Sequence, residues 1–321
     1  MRTGILLINL GSPDATDPKS MRRYLKKFLG DKRVVEAKGL LWWLVFNGII
    51  LRKRPKSSGK AYASIWNNEL NESPLKTITR AQAEKVEKAM GEGYIVDWAM
   101  RYGSPDIGSA IKRMAAQGVE NILFFPLYPQ YSAATTATAM DTVFDTLKTM
   151  RFQPNICTVP PYYTHPAYIE ALAKSVKTHH ATLGWQPEVT LASLHGLPVS
   201  FIEKGDPYQA HCEATVAALR AALNADKTTL PLTYQSRTGR QEWIGPDTEE
   251  TLVNLAKNGV KNVSILAPGF AADCIETLEE LHIRAITAFK AAGGNNATVV
   301  PCLNDSKASV SMLTMLIKAA L

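Results

Sequence analysis

A chain of 321 residues with 46% hydrophobic side chains is long enough for two ordinary domains, each with its own core, and too apolar for a disordered polymer. Its 36 Lys and Arg against 29 Asp and Glu leave a formal charge of +7; the excess is dispersed and suits an anionic ligand or lipid surface, and with no nucleic-acid motif present, nucleic acid is excluded as a partner. Four separated cysteines, Cys157, Cys212, Cys274 and Cys302, form no C-x-x-C pair, which removes zinc-ribbon and iron–sulfur spacings and predicts reduced, buried thiols in a cytoplasmic protein.

In chain order, the first apolar run, Ile5–Asn9, reads as a buried strand that ends in Leu10-Gly11-Ser12-Pro13. It is too short for the core of a signal peptide, and none is expected. Asp17-Pro18 and Ser73-Pro74 each place a capping side chain before a Pro at the first helical position. Between them lies Gly39–Leu51 (GLLWWLVFNGIIL), too short to span a bilayer and followed by Arg52-Lys53-Arg54. Two adjacent tryptophans beside three cations suit a membrane interface; a buried hairpin or core helix fits the same length.

Strands are expected at Gly4–Asn9, Tyr94–Met100, Asn121–Phe125, Asn155–Val159, Val189–Leu194, Leu230–Gln235, Asn262–Ala267 and Thr298–Leu303, with helical patterns between most of them. Gly91, Gly118 and Gly259 fall at helix C-termini. The alternation predicts an α/β protein with parallel sheets flanked by helices. It also repeats: strand ends carry NLGSP, RYGSP and PLYPQYS in the first half, and LHGLP, YQSRTG and APGFAAD in the second. The boundary is expected near Tyr162–Pro166, giving an N-terminal domain over 1–162 and a C-terminal one over 163–305, with the last helix, 306–321, returning to the first. Neither glycine loop is a dinucleotide fingerprint and no Walker loop is present. Ligands bind beyond the carboxyl ends of such strands, which puts Leu10 and His195 on opposite walls of one expected cleft.

Among six histidines, His195 has the positional argument, at a strand end directly before Gly196. A neutral imidazole both accepts a proton and ligates metals. His179 and His180 are expected to face water at a helix end, His165 to lie in a loop, and His211 and His282 on helices. In Ala271–Arg284 (AADCIETLEELHIR), a helix would align Asp273, Glu276 and Glu280 on one face. Such a ladder suits a divalent cation or a proton path, and an acidic first turn complementing the helix dipole explains part of it. Arg101-Tyr102 and Gln235-Ser236-Arg237 follow their strands in the same way, either Arg being suited to a ligand carboxylate or to a structural ion pair. Tyr128, Tyr131, Ser132 and Thr135 would make an aromatic and hydroxyl wall.

With NLGSP, LLWWLVFNGIIL, YASIW, RYGSP, PLYPQYS, HGLP, YQSRTGRQEW and PGFAADCIETLEE in order, the chain resembles the ferrochelatases nearly end to end. The resemblance implies two similar Rossmann-like domains of the class II chelatase type around a porphyrin cleft. It implies insertion of Fe²⁺ into protoporphyrin IX to form protohaem, the last step of haem biosynthesis. It makes His195 and Glu276 the catalytic and metal-handling pair, with Leu10, Arg101, Tyr102, Tyr128, Ser132, Gln235 and Arg237 as substrate-binding candidates. Iron enters as substrate; no permanently bound cofactor is expected, and the cysteine-bearing extension that holds an iron–sulfur cluster in some members is missing. Gly39–Leu51 matches the apolar lip over the active site, and 39–54 is the expected peripheral contact with the inner face of a membrane. Asn71-Glu72-Ser73-Pro74-Leu75 departs from a usual Gly-Ser-Pro-Leu run. Arg284 stands where some relatives carry a carboxylate, which works against a long acidic metal path. A cobalt chelatase of the same fold and a non-catalytic porphyrin or haem carrier are the alternatives; the carrier needs an axial ligand but no carboxylate ladder.

Overall fold

A computed structural model of the chain describes residues 2–37, 39–237, 239 and 241–321; Thr238 and Arg240, inside the YQSRTGRQEW stretch, lie outside the described residues. Two compact units emerge, one of Met1–Leu127, Ser132–Pro160 and Leu313–Leu321, the other of Tyr128–Tyr131 and Pro161–Met312. The excursion at 128–131 is tied to the second unit. Gln130 Nε2 donates to the Thr215 hydroxyl at 2.9 Å, and the Tyr162 amide donates to the Pro129 carbonyl at 3.1 Å. The chain's end is tied to the first, where Cys157 Sγ donates to the Ala320 carbonyl at 3.4 Å.

In the first unit β1 (Arg2–Asn9), β2 (Tyr94–Met100), β3 (Val119–Pro126) and β4 (Asn155–Thr158) form a parallel sheet in the order β2-β1-β3-β4. β1 is central, and Ile5, Leu6, Leu7 and Ile8 are all fully buried, as expected of a strand covered on both faces. Leu6, Ile8, Ile111, Met114, Phe124 and Val143 form part of one core cluster, each such side chain contributing about 1.5–3 kcal/mol. Helix Pro18–Leu29 starts where Asp17 accepts from the Lys19 and Ser20 amides, and helix Pro74–Met90 where Ser73 accepts from the Lys76 amide. Both Pro-initiated starts are those the sequence predicts.

Leu40–Val45, Phe46–Ile50 and Leu51–Ala63 follow without a break as one helical run, its middle part wound with i→i+5 bonding. Leu40, Leu41, Trp43, Leu44 and Ile49 are exposed, Leu41 by 77%. Phe46 and Leu51 alone among the residues 40–51 are buried. The buried-hairpin and core-helix alternatives therefore fall, and the stretch is an exposed apolar helix. Among the described residues no helix is long and apolar enough to cross a membrane.

The second unit repeats the plan. β5 (Val189–His195), β6 (Leu232–Gln235), β7 (Asn262–Leu266) and β8 (Asn296–Val299) are parallel in the order β6-β5-β7-β8. β6 starts two residues later than predicted, after Pro231, which has no amide for the ladder; β8 stops before Pro301 instead of running to Leu303, for the same reason. Leu191, Leu252, Val263, Ile265, Leu281 and Phe289 lie in its core. In a sheet ordered 2-1-3-4 the chain leaves the first and third strands in opposite directions. The ends of β1 and β5 therefore stand at the switch points, where open α/β sheets bind ligands.

Candidate functional site

His195 is the last residue of β5 and pairs in register with Gln235 at the end of β6. The Gly196 amide donates to the Gln235 carbonyl at 2.7 Å. His195 Nδ1 lies 2.6 Å from the Gly196 carbonyl oxygen. A carbonyl only accepts, so Nδ1 carries the proton, and in the neutral ring Nε2 keeps its lone pair.

The acidic segment differs from the predicted straight helix. Its helix spans Glu276–Ala285 with i→i+5 winding and continues as Ile286–Ala291. Asp273 precedes it and leaves the ladder: buried, it accepts from the Thr277 hydroxyl at 2.9 Å and from Asn304 Nδ2 at 2.6 Å. It braces the helix entry instead of presenting a charge. Glu276 and Glu280 remain, four residues apart, which the wider winding keeps on one side.

The last residue of β6 and the one after it reach this helix. Gln235 Nε2 donates to the Glu276 carbonyl at 2.8 Å, and the Ser236 hydroxyl donates to Glu280 Oε2 at 2.5 Å. Burial first, and then the Glu276 charge, push the Glu280 carboxyl above its usual range; the Ser236 bond, the nearby His195 ring and the Arg284 cation pull against them. Arg284 ends the series with a cation, 3.3 Å from Glu280 and 3.7 Å from Glu249 of helix Thr248–Lys257. Beside it opens a cavity of about 540 Å³ lined by Ser236, Arg237, Asp247, Glu250, Glu280 and Arg284, among others. Among the described residues no group of three or more His, Cys, Asp or Glu side chains is placed to hold a metal ion.

Other predicted residues lie elsewhere or are engaged. Gln235 is 4% exposed: its amide is held inside the unit and is not offered to a ligand. Arg237 pairs with Asp247 at 3.4 Å and Glu250 at 3.9 Å. In the first unit Leu10 is half-buried at the end of β1, its carbonyl accepting from the Tyr102 amide at 2.8 Å. Tyr102 is fully buried, with its hydroxyl donating to Asp31 at 2.7 Å. Arg101 donates from Nη2 to the same carboxylate oxygen at 2.5 Å and from Nε to the Thr138 hydroxyl at 2.8 Å. Both are parts of a brace around Asp31. The expected wall is divided: Tyr128 and Tyr131 belong to the second unit, Ser132 and Thr135 to the first. Ser132 is buried and accepts from the Ala134 amide at 3.2 Å.

Two expectations about ordinary residues are corrected, and one holds. His179 and His180 are half-buried rather than facing water, paired with Thr298 at 2.8 Å and Ser264 at 3.0 Å, and burial lowers the pKa of both. His165 lies in the loop before Pro166 as expected, and there it caps helix Pro166–Ala181, its Nδ1 accepting from the Ala167 amide. Cys157 is exposed, because β4 is an edge strand; the other three thiols are buried, and all four are free. Sequence reasoning gave no role to Asp31 or Thr138, which lie 107 positions apart and meet through the fold alone.

The fold is that of a chelatase. A solved structure of SirB from Bacillus subtilis with Fe³⁺ covers 96% of its own chain and 100% of this one, with a TM-score of 0.59 at 12% identity. A structure of the sirohydrochlorin chelatase SirB from Bacillus subtilis subspecies spizizenii in complex with cobalt gives 0.57 at 11% identity, covering 100% of this chain and 96% of its own. At these identities the likeness speaks for the fold alone. The family model Ferrochelatase matches residues 2–321. A ferrochelatase of Bradyrhizobium diazoefficiens is 52% identical over 318 residues, 98% of this chain and 92% of its own length. One of Agrobacterium fabrum is 50% identical over 322 residues, covering 100% of this chain and 94% of its own length. The chain belongs to the ferrochelatase family. It is an enzyme, a lyase of haem biosynthesis that inserts iron into a porphyrin, and this reading is favoured over a cobalt chelatase or a carrier.

Proposed function

We propose that His195 is the base that removes the two pyrrole protons of protoporphyrin IX as Fe²⁺ enters, and that Glu276 and Glu280 receive those protons from it. A free-base porphyrin is planar and holds two N–H protons in its ring. Metal insertion requires that a nitrogen lone pair turn out of that plane and that both protons leave. The observation that carries the reading is the Gly196 carbonyl 2.6 Å from His195 Nδ1. It fixes the tautomer whose Nε2 is free to take a proton. The imidazolium then formed passes its proton to a carboxylate, and the ring returns to the state that accepts the second. Porphyrin and Fe²⁺ give protohaem and two protons. Fe²⁺ is a substrate held in passing, with His195 and Glu276 as the side chains that would ligate it, and the enzyme carries no iron–sulfur cluster or other resident group.

The exposed apolar helix at 40–45 and the Arg52-Lys53-Arg54 cluster support a further element of the reading: peripheral contact with an anionic lipid surface at the inner face of the membrane by a cytoplasmic protein. The apolar side chains enter the acyl boundary, and the cations stay among the headgroups.

The test is an anaerobic assay with protoporphyrin IX and Fe²⁺, Co²⁺ or Zn²⁺. His195→Ala should lose at least about a hundredfold in turnover, the low end of general-base effects, with every metal. Porphyrin fluorescence should still report binding. Near-normal turnover of this variant removes His195 from the mechanism.

A further inference from the structure

We infer that the consecutive residues Gln235 and Ser236 are positioning residues that hold the Glu276–Glu280 helix against His195, and that the left-handed backbone at Ser236 serves this purpose. Successive side chains of an extended strand point to opposite faces of the sheet. Gln235 ends β6, yet it and its neighbour both reach the same helix. Gln235 grips the Glu276 carbonyl at 2.8 Å and Ser236 the Glu280 carboxylate at 2.5 Å. Ser236 has φ +68°, a region that residues other than glycine rarely occupy and that Ser has no special means to favour. That inversion breaks the alternation and delivers two adjacent side chains to one helix, four residues apart.

The Gln235 amide is oriented from behind. Its Oε1 accepts from the Ser193 hydroxyl at 2.7 Å. The Ser193 oxygen is 2.8 Å from that of Thr248, which is 3.0 Å from that of Thr233. Ser193, Thr233 and Thr248 are at most 1% exposed. Apolar side chains fill such interior positions without any polar group to satisfy, so a buried hydroxyl series ending on one amide specifies an orientation. The Glu276 carbonyl can only accept, which settles that the amino end of Gln235 faces the helix. Both grips lie within one residue of the His195–Gln235 pairing, so β5, β6 and the helix are registered to one another at the reacting group.

This inference rests on the reading of Glu276 and Glu280 as proton acceptors, and the experiment separates the two. Ser236→Gly removes the hydroxyl and suits the left-handed backbone, so the melting temperature should hold or rise. Its kcat should fall by about tenfold, part of the roughly hundredfold or more that outright loss of an acid–base group costs, with the porphyrin KM unchanged within about twofold, a split that a role in stability alone would not produce. Gln235→Glu keeps the acceptor for Ser193 and loses the donor to Glu276, and should show the same split. In a double-mutant cycle, Ser236→Gly should cost nothing further in a Glu280→Ala background. A parental kcat in Ser236→Gly, or losses that add in the cycle, overturns the positioning role. A Glu276→Gln enzyme as fast as the parent overturns the acceptor reading beneath it.

Discussion

Removing the Asp31 carboxylate tests whether Arg101 and Tyr102 are a brace or a ligand site. Asp31 Oδ2 accepts from Arg101 at 2.5 Å, Tyr102 at 2.7 Å and Thr138 at 2.5 Å. Each bond to a charged group is worth about 1.5–3 kcal/mol net when fully buried. Arg101 is 20% exposed, keeps its bonds to Thr138 and lies 4.4 Å from the Tyr102 ring centre, so the three bonds do not add in full. Asp31→Ala should therefore cost about 3 kcal/mol, or roughly 6–12 °C in melting temperature for a unit of this size. The assay is scanning calorimetry with Asp31→Asn as the shape-conserving control. Hydrogen bonds from Thr138 and Tyr102 and the charge of Arg101 hold the Asp31 carboxyl below its usual range against the opposing effect of burial. Its stabilisation is thus fully present above the unfolded carboxyl pKa of about 3.9 and is lost as pH falls through the lower folded value. The parent and Asp31→Asn curves should begin to approach each other below about pH 4 and finish doing so only below the lower folded value. A melting temperature within about 2 °C of the parent, less than one kcal/mol on this scale, together with a raised porphyrin KM, would refute the brace.

Glu276→Gln keeps shape and deletes charge, so turnover should fall by at least about tenfold; an unchanged rate across the pH range would reduce Glu276 to a helix-dipole partner. Trp43 is 60% exposed, so Trp43→Ser should weaken sedimentation with anionic liposomes at an unchanged melting temperature. Trp42→Ser should also lower that temperature, because Trp42 stacks on the buried Phe46 at 5.6 Å; a stability loss from Trp43→Ser instead would make that side chain core. Anaerobically purified protein should contain no acid-labile sulfide, since a cluster needs about four thiolate ligands, and stoichiometric sulfide would reassign the cysteines.

Periodicity and punctuation carried the architecture: apolar runs ending in Gly-Pro turns marked the strands, and Asp17-Pro18 and Ser73-Pro74 marked helix starts. His195 was legible because a strand end before glycine is a local feature. The carboxylate ladder was half legible. A 3.6-residue period aligned Asp273 with Glu276, but winding is set by packing, and Asp273 was claimed by Asn304 and Thr277. The Asp31 brace was invisible, because its partners lie 70, 71 and 107 positions away and nothing local marks a charge that a distant arginine will meet. The same holds for Ser236, whose left-handed backbone has no signature in a serine.

The loops after β1 and β2 are laced backbone to backbone, Arg101 N donating to Asn9 O and Tyr102 N to Leu10 O, both at 2.8 Å. A Cβ on Gly11, at φ +103°, would stand 1.9 Å from the Tyr102 carbonyl oxygen, and one on Gly103, at φ +128°, 2.5 Å from that of Ser12. Each glycine is thus the clearance the other strand's loop needs. Over generations of mutation the two loops behave as one heritable unit: neither accepts a side chain while its counterpart keeps its course, and a graft that transplants one without the other brings a collision with it.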